Sequence, residues 1–274
     1  MVSVNTNYGA LVALQNLTAT QNDLSVVQNR INTGLKVATA KEDGAVFAIA
    51  QDQRGRLSAQ QILRDAMDRA LSAIDVGLSA ADAVQNILMQ MKDKSLAASA
   101  PGLSTSQIAS YNADFIALRE AIDPLVNAAQ LNGQNLINDS TGSMQVKVND
   151  INLSTVITIT GQGLTIASLG INALTFTNAA EASTAVSTLV GVLSTMNGSL
   201  ASLAGKSKAL QAMKDFNSKM SDVTEKGVGI LIDADLARES ARLQSLQVKQ
   251  QLGAQALSIA NQQPQILLSF FRGG

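Results

Sequence analysis

The sequence predicts a mainly α-helical protein, with long coiled-coil-like helices at both ends, further long helices between them and one small β-hairpin insertion. Three observations carry this. Prolines occur only at Pro101, Pro124 and Pro264, so stretches rich in Ala, Leu and Gln run far without a helix breaker. Over most of those stretches apolar residues recur in alternating steps of three and four, the spacing of one coiled-coil face. Between about residues 140 and 180 the period drops to two, that of a half-buried strand.

The elements follow in chain order. Residues 3–33 carry Leu17, Leu24 and Ile31 at sevens, with Val27 between the last two. Residues 57–99 hold two parallel lines. Leu63, Ala70, Gly77, Val84, Met91 and Ala98 form one, and Met67, Ile74, Ala81 and Leu88 the other. Both belong on one helix face, and their small members predict close helix approach. Residues 105–131 continue through Tyr111, Phe115, Leu118, Ile122, Leu125 and Ala129. Pro124 would clash with the Glu120 carbonyl, which predicts a kink.

The segment "SMQVKVNDINLSTVITITGQGLTIASLGI" (143–171) pairs Val146 with Val148, Ile157 with Ile159 and Leu164 with Ile166 at period two. It predicts two or three short strands in hairpins. A fourth helix, about 181–226, runs through Val186, Leu189, Leu193, Met196, Leu200 and Leu203. Its phase slips near "GKSK" before Met213, Phe216, Met220 and Val223. The last helix, about 233–268, places Leu236, Leu243 and Leu257 on one line, Leu252, Ile259 and Ile266 on another, and Leu246 and Leu267 on a third. An apolar surface that wide needs several partners.

Composition narrows the function classes. The chain of 274 residues contains no Cys, His or Trp, which excludes most metal sites, thiol nucleophiles and histidine triads. Charged residues make up 15% and the net charge is −1. No basic stripe points to nucleic acid, and a near-neutral chain lacks one brake on self-association. No unbroken apolar run is long enough to predict a membrane span. The first basic side chain is Arg30, so no secretory signal peptide is expected, and composition alone suggests a cytoplasmic protein.

The stretch "INTGLKVATAKEDGAVFAIA" (31–50) invites an enzymatic reading. Lys36 or Lys41 would be the cation of a phosphate loop, but the Walker spacing is absent. Glu42 and Asp43 are adjacent and suit a helix N-terminal turn better than paired catalysis. Asp75, Asp82 and Asp93 fall on a solvated helix face. Asp233, Asp235 and Glu239 lack the glycine and spacing of a calcium loop, so Asp233 or Asp235 reads as a helix N-cap. The methionines mostly occupy or flank seams, where core filling is their ordinary use. No catalytic, cofactor or metal site is expected.

Three segments resemble the bacterial flagellin family. "RINTGLKVATAKEDGAVFAIA" (30–50) is similar to its N-terminal signature, and "FIALREAIDPLVNAAQLNGQNLI" (115–137) to a later segment that ends in F-N-G. "DADLARESARLQSLQVKQQLGAQALSIANQQPQILLSFF" (233–271) resembles the family's C-terminus. The resemblance implies a short filament subunit without large outer domains. Residues 1–34 and 236–274 would pair as an inner terminal coiled coil, and residues 35–235 would form a helical rod with the β insertion at about 140–180. The polymerisation interface would hold Leu17, Leu24, Ile31, Leu243, Leu246, Leu252, Leu257, Ile259 and Leu267. Gly34, Lys36, Lys41, Asp43 and Gly44 would lie in the connecting segment, with Gly34 and Gly44 permitting backbone bends.

The implied partners are other copies of the chain in an open helical polymer, the flagellar export machinery, an export chaperone, and cap and hook-associated proteins. Neither nucleic acid nor membrane is expected. The resemblance replaces the cytoplasmic reading with an extracellular one, reached by type III export without a cleaved signal peptide. A hook–filament junction protein and a helical signalling module are the alternatives. Glu42-Asp43-Gly44-Ala45 departs from the family's common D-D-A-A, and "QMKDKSLAAS" (90–99) departs from the segment read by a vertebrate Toll-like receptor, which predicts weak recognition.

Overall fold

A computed structural model describes residues 7–152 and 154–272, with side chains as far as Gln262. In chain order it contains α1 (Tyr8–Thr33), α2 (Gly44–Ala98), α3 (Thr105–Glu120), α4 (Ile122–Ala128), β1 (Gln130–Leu131), β2 (Gln134–Asn135), β3 (Ser143–Lys147), β4 (Val156–Thr160), α5 (Ala179–Ile232) and α6 (Leu236–Arg272). The fold is mainly α with long helices and a small β-hairpin, β3–β4, as expected from the sequence. The β1–β2 hairpin is not expected from it, because the helical pattern reads on to residue 131. The chain divides into two compact units, residues 1–55 with 223–274 and residues 56–222. The first is called the terminal unit and the second the central unit. Helices α2 and α5 contribute residues to both.

In the central unit both expected lines on α2 are buried along their whole length. Leu189, Met196 and Leu203 of α5 enter the same core, together with Ala182, Ala185 and Val192. The two helices run antiparallel. Gln85 donates to Asn197 (3.3 Å), and further along Lys214 pairs with Asp68. Gly77 of α2 faces Leu136 and Ile137, where a larger residue would meet their side chains.

Helix α3 begins at a capping box in which Ser104 and Gln107 satisfy one another's backbone donors. Lys94 of α2 donates to Asp114 of α3 (2.6 Å), and Phe115 meets Phe176 edge-on with centroids 5.2 Å apart. Instead of a kink at Pro124 there is a break. Helix α3 stops at Glu120 and α4 restarts at Ile122, which leaves Pro124 in a first turn where its missing N–H costs nothing.

Strands β1 and β2 form a two-residue hairpin, and β3 and β4 a longer antiparallel one that pairs Met144 with Ile159 and Val146 with Ile157. The third alternating run forms no strand. From Gly161 the chain turns against residues 136–142, with Gln162 N–H on the Leu136 carbonyl and Leu164 N–H on the Ile137 carbonyl (both 2.8 Å). Burial of Leu164 and Ile171 comes from this irregular segment. A Cβ at Gly161 would stand 2.2 Å from the Asp139 carbonyl oxygen, so the close approach requires glycine.

The sequence pattern misplaces the second half of α5. Met213 is half-buried, but Phe216, Met220 and Val223 face outward. The buried line runs instead through Leu203, Leu210, Asn217 and Ser221. Both lines have coiled-coil spacing, and only the partner helix decides which one turns inward.

Helix α5 is long and apolar enough by composition to cross a membrane. Its apolar residues Leu189, Val192, Met196 and Leu203 lie in the core of the central unit.

Candidate assembly interface

The terminal unit is built on α1 and α6. Asn7 caps α1 by accepting from Ala10 N–H (3.1 Å), and its amide nitrogen donates to the Ala260 carbonyl (2.6 Å). Asp235 caps α6 by accepting from the N–H groups of Ala237 and Arg238 (both 3.1 Å). Near the other end of the seam Arg30 pairs with Glu239 at 3.4 Å. The helices are therefore antiparallel.

Their facing residues alternate by three and four: Ala10, Ala13, Leu17, Thr20, Leu24, Val27 and Ile31 on α1, and Leu243, Leu246, Gln250, Gly253, Leu257 and Ala260 on α6. This is the heptad geometry of a two-stranded coiled coil. The seam is thin. Val27 and Leu246 are its fully buried apolar members, and a Cβ added at Gly253 would meet the Leu17 Cδ1 at 3.4 Å.

The connecting segment ties this hairpin to the ends of α2 and α5 within the unit. Gly34 takes the left-handed conformation (φ 70°) that ends α1, which glycine tolerates best. Leu35 then bridges Asp233, Lys36 N–H donates to the Ile232 carbonyl (2.6 Å), and Ala234 N–H donates to the Gly34 carbonyl (2.9 Å). Glu42 folds back to accept from Ala38 N–H (2.6 Å). Asp43 accepts from the N–H groups of Ala45 (3.1 Å) and Val46 (3.0 Å), so it is the N-cap of α2. Gly44 does not serve as a bend. It is the first residue of α2 and has no positive φ, because Asp43 ends the loop before it. The side chains of Lys36 and Lys41 are exposed.

The expected interface residues separate into two sets. Leu17, Leu24, Ile31, Leu243, Leu246 and Leu257 lie in the α1–α6 seam, while Leu252 and Ile259 point away from it, 58% and 64% exposed. Leu267, like Ile266, lies outside the described side chains. Sequence reasoning missed Leu11, Val12 and Leu14 on α1 and Val248 on α6, all exposed. Their signal was available as apolar residues off the heptad line.

Two paired helices with a filled seam and large apolar residues on their outer faces define a coiled-coil protein with unpartnered apolar surface. Comparisons with known proteins give the class a family. Residues 4–141 match the bacterial flagellin N-terminal helical region, and residues 184–271 the bacterial flagellin C-terminal helical region. Flagellin FljM of Caulobacter vibrioides is 43% identical over 271 residues, covering 98% of each chain. Flagellin FljK of the same organism is 44% identical over 276 residues, again covering 98% of each. A solved structure from Vibrio parahaemolyticus, assigned as a flagellar hook-associated protein, superposes with a TM-score of 0.58 at 12% identity, covering 70% of this chain and 99% of that one. At that identity the likeness concerns the fold alone.

The chain belongs to the bacterial flagellin family, whose members are structural proteins. It is a structural subunit that self-assembles into the extracellular flagellar filament.

Proposed function

We propose that the terminal helices are the polymerisation element, with residues 1–34 and 236–274 forming the inner domain of the filament and residues 35–235 its rod. Leu252 and Ile259 contact neighbouring subunits directly, and Leu267 is assigned the same role from its place in the sequence pattern. Leu17, Leu24, Ile31, Leu243, Leu246 and Leu257 act by holding α1 and α6 in register, so that the outer faces are presented together. Gly34, Lys36, Lys41, Asp43 and Gly44 serve the connection between inner domain and rod. The chain has no catalytic role. It leaves the cell by the flagellar export route without a cleaved signal peptide, accompanied by an export chaperone, and meets cap and hook-associated proteins at the filament ends.

The observation that carries this reading is the exposure of Leu252 and Ile259 beside a seam already filled by other residues. Burial of such faces between copies supplies roughly 25 cal/mol per Å² of apolar surface. Contacts between unlike faces of identical chains do not close, which builds a helical polymer. The test is the paired substitution Leu252→Glu and Ile259→Glu in the full chain. Seeded polymerisation, read by sedimentation and electron microscopy, should be abolished while monomer helicity stays unchanged. Filaments of normal yield would remove these residues from the interface. For export, the intact mass of subunits recovered from shed filaments should equal that of the uncleaved chain.

A further inference from the structure

We propose that Asn132 is a modification site, at which the folded chain slowly converts its own asparagine to aspartate and isoaspartate.

Asparagine loses its amide without an enzyme when the backbone nitrogen of the next residue reaches its side-chain carbon. A following glycine removes the side chain that obstructs this approach. The sequence places glycine after asparagine twice, at Asn132-Gly133 and at Asn197-Gly198. The fold treats the two pairs oppositely. Asn197 and Gly198 lie inside α5, where an α-helix holds each N–H on the carbonyl four residues back. The Asn197 side-chain oxygen also accepts from Gln85 (3.3 Å). Asn132 and Gly133 are the two-residue loop between β1 and β2. Their φ angles are both positive, 52° and 79°, as a tight hairpin turn requires. Both residues are exposed. The Gly133 N–H donates to no backbone carbonyl among the described residues, and a Cβ placed on Gly133 would meet nothing within 4 Å. The ladder that holds the turn is two residue pairs long, so it opens at small cost. An opened turn lets the Gly133 nitrogen swing onto the Asn132 side chain.

The step needs water alone as co-reactant. The Gly133 nitrogen attacks Cγ of Asn132 and gives its proton to water. The Cγ–Nδ2 bond breaks as the amide nitrogen takes up a proton from water and leaves as ammonia. The product is a five-membered succinimide. Water then opens the ring at one of two bonds. Cleavage between the ring nitrogen and Cγ leaves aspartate at position 132. Cleavage between the nitrogen and the main-chain carbonyl carbon leaves isoaspartate, with the chain running through Cβ.

Either product adds a carboxylate, and the surroundings favour one. Asn132 lines a groove of about 440 Å³ together with Arg69 and Lys147, and no acidic residue lines it. Neither cation is ion-paired among the described residues. The acids closest in sequence are engaged elsewhere. Asp68 pairs with Lys214, Asp65 accepts from Gln61 (3.0 Å), and Asp150 pairs with Arg56 (3.1 Å). The new charge therefore enters a groove that holds two cations and no anion.

The test is to hold the full chain as monomer at mildly alkaline pH, where the backbone nitrogen gives up its proton more readily. Peptide mass spectrometry follows both sites, and enzymatic methylation marks isoaspartate. Aspartate and isoaspartate should accumulate at Asn132 while Asn197 keeps its amide. In denaturant Asn197 should convert as well, since only the helix protects it. An Asn132 amide that outlasts the Asn197 amide of the denatured chain overturns the site. Equal conversion at both positions in the folded chain overturns the role of the turn. In parallel, Asn132→Asp should melt above the parent monomer at low salt. The gain should vanish in a background of Arg69→Gln with Lys147→Gln. An Asn132→Asp monomer that melts below the parent at low salt overturns the charge match.

Discussion

The two units bury apolar surface in different ways. In the central unit α2, α3, α4, α5 and the β segments enclose a continuous core that includes Met67, Ile74, Leu88, Phe115 and Phe176, each fully buried. In the α1–α6 hairpin two helices share one seam in which alanine, threonine, glutamine and glycine alternate with leucine. A helix inside a multi-element core is covered on several sides, whereas a helix in a two-stranded pair is covered on one. The central unit encloses its core within one copy, and the α1–α6 pair leaves apolar faces that the proposed assembly would cover. The proposed polymerisation role falls on the α1–α6 pair, whereas the closed core lies in the central unit.

The largest effect should come from removing the hairpin. A chain lacking residues 1–34 and 236–274 should lose polymerisation entirely yet keep a cooperative thermal transition, because none of the core residues named above is deleted. Brief proteolysis of monomer should approach the same product, since a short two-helix pair frays more readily than a packed core. In filaments the same ends should resist the protease. A trimmed chain that still polymerises would erase the division of labour.

Next in size is a cavity in the central core. Leu88→Ala should destabilise the monomer by about 2–5 kcal/mol, the range for a fully buried leucine that leaves a partly collapsed void. Chemical denaturation of monomer measures it. A midpoint unchanged from the parent chain would mean that the second half of α2 contributes little to the fold.

A smaller effect of opposite sign should appear in the hairpin. Gly253 sits inside α6, where a Cβ would touch Leu17 at ordinary van der Waals distance without overlap. Gly253→Ala should stabilise the helix by about 1 kcal/mol through backbone propensity. Slower amide exchange along α6 in monomer would show it. Faster exchange would mean that the seam is packed more tightly than its small residues suggest.

Much of the fold was legible because its signals are local. The lines of α2 are strict heptads, and every position in them is buried. The strand pair β3–β4 follows from β-branched alternation, and Gly34 from its place after a long helix. Three features were not legible for a common reason. The run at Leu164 and Ile166 alternates like a strand, but its backbone bonds go to residues 136–137, a choice made by distant chain. The line through Phe216 and Val223 has the spacing of a core face, yet the opposing turn of α2 presents Gln60. Among the expected interface residues with described side chains, only the antiparallel pairing of α1 with α6 sends Leu252 and Ile259 outward and Leu17, Leu24, Ile31, Leu243, Leu246 and Leu257 into the seam. Periodicity shows that a face is apolar, but it does not show which partner the face belongs to.

The smallest expected effect is a dependence on acid that belongs to the central unit. At the start of α5, Glu181 accepts from Thr177 N–H (2.7 Å) while its own N–H donates to Asn178, an arrangement that closes the first turn. The Thr177 N–H, helped by the Thr177 hydroxyl, holds the Glu181 carboxyl below its ordinary pKa. Near Gly161 the Thr141 N–H and hydroxyl hold Asp139 down in the same way. A carboxyl depressed in the folded state contributes its stability fully above the unfolded value and loses it as pH falls through the folded value. Melting temperature of the central unit should therefore decline below the ordinary carboxylate range, and only slightly, because both groups are in water. Glu181→Gln should melt a little lower than the parent at neutral pH, and the gap should close as acid protonates Glu181 in the parent. A gap that stays constant from neutral pH to strong acid would show that the glutamate acts through shape and not through charge.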